Sequence, residues 1–161
     1  MSETASNNQT DQAHELRIER LIPATPEEVF DAYTDPEKIA VWFDLLSDGD
    51  PGVTEITGGD VRVGGVQTST WGPNRDWLYR EVNTYTAIER PGRLVVTSVG
   101  TAPEMPGVEM TTQIEVLFED APGGTLMKVH QTGIPDAELR DFFLTMAWPG
   151  ALDRITAFFT R

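Results

Sequence analysis

The chain contains no cysteine. That excludes disulfides, thiolate metal ligands and thiol redox chemistry, and it suits a reducing cytosol. Histidine is nearly as scarce, with only His14 and His130. The second stands beside Lys128 and Gln131 rather than among other ligands at metal spacing, so no metal site is expected. Basic residues are few, 12 Lys and Arg against 26 Asp and Glu, for a formal charge of −14. A field of that sign repels phosphate backbones and anionic headgroups, and the scattered Arg and Lys form no compensating cluster, so neither nucleic acid nor membrane is expected as a partner. No run approaches the ~20 apolar residues of a membrane-spanning helix. Residues 1–14 are polar almost throughout, lack the apolar segment of a signal peptide and read as a disordered tail. The expectation is a soluble, cytoplasmic protein with a single domain over residues 15–161.

Catalytic signatures are missing as well. There is no GxSxG elbow, and two separated histidines without a cysteine give no nucleophile paired with a base. Gly58-Gly59 and Gly64-Gly65 lack the strand, lysine and helix context of a phosphate loop, so no nucleotide or other cofactor is implied.

What is present is strong local patterning. Leu16 and Ile18 alternate with Glu15, Arg17 and Glu19 as in a half-buried strand. Thr25-Pro26-Glu27-Glu28 supplies an N-cap, a first-turn proline and two acids ahead of Val29, Phe30 and Tyr33, which predicts a short helix. Asp35-Pro36-Glu37 opens a second one carrying Ile39, Trp42 and Phe43. From Gly49 to Gly133 short alternating runs and turn residues predict an antiparallel meander. Strands are expected over 60–63 continuing past Gly64-Gly65 to Trp71, over 79–88, 94–100 and 125–132, and from Val108 to Phe118, with the glycine pair as a bulge. A long helix follows from Pro135-Asp136 to about Phe159, broken or kinked near Met146 by Pro149 and softened by Gly150.

The order of these elements and several strings resemble the SRPBCC or START-like superfamily, which includes the birch-pollen-allergen fold, and within it the relatives of the activator of heat-shock-protein-90 ATPase. The strings are Ile18-Glu19-Arg20, Ile22 through Phe30, Asp35-Pro36-Glu37 leading to Trp42-Phe43, and Asp60 through Gly65. Pro91-Gly92-Arg93-Leu94, Thr132 through Asp136, and Trp148 followed by Leu152, Arg154 and Ile155 complete the set. Relatives commonly carry Gly-Trp in the final helix, whereas here Ala147 precedes Trp148 and Pro149 follows it. The resemblance implies an α+β helix-grip fold: a curved sheet of six or seven antiparallel strands around a long C-terminal helix, two short helices after the first strand, and an apolar cavity between sheet and helix.

In such a fold the aromatic set becomes the candidate ligand site: Trp42, Phe43, Trp71, Trp77, Tyr79, Tyr85, Phe142 and Trp148, with Met110 and Met146 as adaptable neighbours. The expected partner is a small hydrophobic or aromatic ligand held by a carrier or sensor. Two alternatives follow from the resemblance. One is a protein-interaction module similar to the chaperone activator, with a chaperone or other protein as partner; the other is an enzyme like the polyketide cyclases and aromatases. Arg75, Asp76, Glu81 and His130 are the acid and base candidates for the enzyme. Alternation turns His130 to solvent if Met127 and Val129 face the core, so no residue is assigned as catalytic. Edge strands leave monomer and homodimer both open.

Overall fold

A computed structural model describes residues 14–46 and 52–161. All but His14 of the expected N-terminal tail lies outside the described residues, and His14 is the first residue of a strand. The strands are β1 (His14–Ile22), β2 (Val53–Gly58), β3 (Val66–Asn74), β4 (Trp77–Glu89), β5 (Arg93–Thr101), β6 (Met110–Ala121) and β7 (Gly124–Ile134). They form one antiparallel sheet in the order β1-β7-β6-β5-β4-β3-β2. Helices α1 (Pro26–Thr34) and α2 (Pro36–Phe43) follow β1, and the chain closes with α3 (Ala137–Phe142), a π turn (Phe143–Ala147) and α4 (Trp148–Thr160). This is the expected helix-grip architecture.

The two short helices start where the sequence signals. Thr25 accepts from the Glu28 amide while the Glu28 carboxylate accepts from the Thr25 amide, a reciprocal capping box that satisfies two otherwise orphaned donors. Asp35 accepts from the Glu37 amide as a simple, one-way N-cap. Trp42 then donates its indole N–H to the Ala32 carbonyl at 2.8 Å, which locks α2 against α1.

The break in the C-terminal helix takes the form of the π turn. Pro149 offers no N–H to the carbonyl four residues back, and the Trp148 amide bonds instead to the Phe143 carbonyl, five residues back. The turn therefore absorbs the proline without ending the helix.

Three details differ from the sequence reading. Val53–Gly58 is an edge strand the alternation did not reveal, because only Val53 and Ile56 of it are apolar. Residues 60–65 form bends rather than the start of a strand, and the glycine pair makes a turn, not a bulge. Gly64 has φ +87°, and a Cβ on Gly65 would lie 2.1 Å from the Asp60 carbonyl oxygen. The pair opens the β3–β4 ladder by exchanging backbone bonds with Tyr85. Finally, β6 begins at Met110, leaving Val108 exposed outside it.

Inward-facing residues of the sheet, the helices and α4 meet in one core that includes Phe30, Leu94, Val116, Phe118, Met127, Val129, Leu152 and Ile155. Here the interior is filled.

Candidate functional site

Beside this core the same sheet face turns polar. On β3 and β4 the inward residues are paired across the ladder: Trp71 opposite Tyr79, Ser69 opposite Glu81 and Gln67 opposite Asn83. Asn83 stands opposite Ser98 on β5, and Ser98 opposite Thr112 on β6. Gln131 on β7 completes the row, donating to the Thr112 hydroxyl at 3.0 Å and accepting from the Trp148 indole at 2.9 Å. Gln67, Ser69, Ser98, Thr112 and Gln131 are all buried. A polar band thus crosses the inner face from β3 to β7.

At the β3–β4 end the band borders a cavity of about 60 Å³. Its walls are Tyr33 from α1; Ile39, Trp42 and Phe43 from α2; Gln67 and Ser69 from β3; Glu81, Asn83 and Tyr85 from β4; and Val96 from β5. The cavity therefore lies against the two short helices, not beneath the long C-terminal helix, and it is half polar rather than apolar. Both points correct the sequence expectation. Its volume is far below the roughly 300 Å³ at which cavities begin to enclose whole drug-sized ligands, so it suits the head of a ligand.

Its polar atoms are incompletely paired. Gln67 donates to Ser69 at 2.9 Å and Asn83 donates to Glu81 at 2.9 Å. The Asn83 Oδ1 is buried with no partner. Neither the Tyr33 nor the Tyr85 hydroxyl has a hydrogen-bond partner among the described residues, although both rings line the cavity. Burial pushes the Tyr85 phenol up to about 12. It raises Tyr33 further, with added repulsion from Glu81 and Tyr85. Both phenols therefore remain donors across the physiological range. Loss of solvation raises the Glu81 carboxyl above the usual carboxylate range, and the bond from Asn83 only partly opposes it. Glu81 and Phe43, like Tyr33 and Asn83, are only partly buried.

The raised Glu81 pKa has a consequence for stability. In the window above 4.5, the carboxyl's ordinary value, the folded chain holds a proton that the unfolded chain has released, so stability falls as pH rises through it. Glu81→Gln is expected to remove that fall: thermal melts between pH 4 and 8 should show the variant gaining on the parent as pH rises. Parallel curves would mean the carboxyl is solvated.

The sequence candidates separate into groups. Trp42, Phe43 and Tyr85 line the cavity. Trp71 and Tyr79 extend from it as an aromatic ladder, Phe43 to Trp71 at 5.6 Å and Trp71 stacked on Tyr79 at 5.8 Å, ending where the Tyr79 hydroxyl meets Glu104. Trp148 is tied to Gln131 at the far end of the polar band, and Met110 is half-buried on β6. Trp77, Phe142 and Met146 are 43 %, 52 % and 63 % exposed and line no part of the cavity. Among the acid and base candidates, only Glu81 reaches it. Arg75 and Asp76 are exposed in the β3–β4 turn, and His130 lies on the outer face, bonded to Glu15 at 2.6 Å. Tyr33, Gln67, Ser69 and Asn83 escaped the sequence reading. Gln67 and Ser69 share the parity of Trp71 along β3, as Asn83 shares that of Glu81 and Tyr85 along β4, and that alternation was the signal available.

The family model described as Activator of Hsp90 ATPase homolog 1-like protein matches residues 23–160. The chain belongs to that family, within the helix-grip superfamily. Among solved structures, a protein from Rhizobium leguminosarum is similar at 23% identity, with 93% of this chain and 96% of that one covered and a TM-score of 0.74. A Chromobacterium violaceum protein matches at 22% identity, over 89% and 94% of the two chains, with a TM-score of 0.73. One from Mycobacterium smegmatis matches at 20% identity, over 91% and 90%, with a TM-score of 0.71. These likenesses concern the fold. No curated protein matches the sequence. Among the described residues no helix is long and apolar enough to cross a membrane.

Proposed function

We propose that the protein is a small-molecule binder whose ligand places a polar head in the cavity between α1, α2 and the β3–β5 face, with an aromatic or apolar body against Phe43 and Trp71. The observation that carries this reading is the orphaned Asn83 Oδ1, a buried atom of a residue that lines the cavity together with Tyr33 and Tyr85, whose hydroxyls are also unpaired among the described residues. An unpartnered buried polar atom costs about 1–3 kcal/mol, and a ligand that pairs with it recovers that cost. The aromatic ladder of Phe43, Trp71 and Tyr79, which starts at the cavity wall, offers the body of such a ligand a stacking surface. The cysteine-free, acidic composition supports a cytoplasmic setting.

Thermal shift with 2-phenylethanol, 2-phenylethylammonium and phenylacetate, and with palmitate as an aliphatic contrast, tests the reading. A ligand at ten times its Kd should stabilise by about 1.4 kcal/mol, or roughly 3–6 °C for a chain of this size. At least one aryl compound is expected to do so, and Asn83→Leu to abolish the shift. No shift with any aryl compound, or the same shift in Asn83→Leu, would overturn it.

A further inference from the structure

The chemistry of the cavity wall narrows the class of ligand, given the binding reading above. No Lys, Arg or His is among the lining residues; the titratable groups that face the cavity are Glu81 and Tyr85 from β4 and Tyr33 from α1, while α2, β3 and β5 contribute none. Among the described residues the Asn83 oxygen lacks a donor, and the Tyr33 and Tyr85 hydroxyls, unpaired in the same wall, can accept from a ligand as well as donate to it. The Glu81 carboxyl adjoins Asn83, already holding its amide. The rings of Tyr33, Trp42, Phe43 and Tyr85 line the same cavity, and the face of an aromatic ring attracts positive charge. The whole chain adds a formal charge of −14.

We propose that the cavity is a site for the head of an organic cation that carries N–H donors, a primary or secondary ammonium on an aromatic or apolar body. Each competing class leaves something unpaired. A carboxylate or phosphate head meets Glu81 with no cation to offset it in a poorly solvated space. An apolar head leaves the Asn83 oxygen orphaned. A quaternary ammonium satisfies the aromatic walls but has no N–H for that oxygen. An ammonium donates to Asn83 Oδ1 and to Glu81 together, and the ring faces supply the rest. The head is small enough for a cavity of about 60 Å³, and the body lies along Phe43 towards Trp71. Glu81 must be ionised to pair fully, so the cation opposes the upward shift that burial imposes on the carboxyl.

Isothermal titration with 2-phenylethylammonium, its N,N,N-trimethyl derivative, 2-phenylethanol and phenylacetate separates these classes. The primary ammonium is expected to bind at least about tenfold more tightly than the alcohol, the trimethyl compound to bind more weakly, and phenylacetate to bind weakest. The affinity of the primary ammonium should rise with pH as Glu81 ionises, while that of the alcohol stays level. Glu81→Gln, close in size and relieved of a buried charge, should erase the advantage of the ammonium over the alcohol without loss of the folded state by circular dichroism. If the alcohol or phenylacetate binds as tightly as the ammonium, or if Glu81→Gln keeps the tenfold preference, the cation assignment fails while the binding reading stands. If none of the four binds, both fail.

Discussion

Phe30→Ala is expected to cost about 3–5 kcal/mol, the range for emptying a fully buried phenylalanine site. Phe30 has no accessible surface and packs edge-on to Phe118 with ring centroids 5.3 Å apart. The Arg90 guanidinium lies over the Phe30 ring at 4.6 Å, and Arg90 is itself held by Glu27 and Asp31 of α1 at 3.1 and 2.8 Å. The substitution therefore removes the contact that seats α1 on β6 and leaves Arg90 over a void. Domains of this kind are stable by about 5–15 kcal/mol in total, so the loss is a large fraction of the whole. Urea unfolding followed by circular dichroism should show the midpoint fall sharply at unchanged slope. A loss under about 1 kcal/mol would mean that the two helices do not rest on this side chain.

Gln131→Leu is the second large effect. Gln131 is the link between Thr112 on β6 and Trp148 at the start of α4, and leucine keeps its bulk while deleting both hydrogen bonds. The stranded indole N–H and hydroxyl should each cost about 1–3 kcal/mol, so a net loss of roughly 2–4 kcal/mol is expected after the apolar gain of leucine. Removing the partners too, as Gln131→Leu with Thr112→Val and Trp148→Phe, should recover much of the loss, because no polar group is then left unpaired. The triple variant falling by the sum of three independent losses would show that the polar band contributes packing alone.

The parts of this structure that local chemistry dictates could be read from the chain. Thr25-Pro26 and Asp35-Pro36 begin helices because their caps lie within three residues of the groups they satisfy. The alternation from Met110 to Phe118 shows the inner face of β6 for the same reason. Pro149 located the irregular turn of the C-terminal helix, though not its π geometry, in which the Trp148 amide reaches the Phe143 carbonyl. The edge strand Val53–Gly58 was hidden because it is paired on one side only and buries little.

The site was less legible. Of the aromatic and methionine candidates, Trp42, Phe43 and Tyr85 lie in the cavity wall, whereas Phe142 and Met146, at the end of the short α3 and in the π turn, are left in solvent. Gln67, Ser69 and Asn83 look like ordinary strand polar residues until the register aligns them with Glu81 on one face. That alignment is a property of pairing between strands, and a single strand does not display it. The cavity lies against α1 and α2 for a similarly non-local reason: Leu152 and Ile155 fill the space beneath the long helix.

The most direct test of the central claim is an NMR titration of the uniformly ¹⁵N-labelled chain with 2-phenylethylammonium, following the side-chain amides of Asn83 and Gln67 and the indole N–H groups. Saturable shifts are expected at Asn83, Gln67 and Trp42, with the indoles of Trp77 and Trp148 unmoved. Shifts centred on Trp77, or on the backbone amides of Phe142 and Met146 while Asn83 stays still, would contradict it.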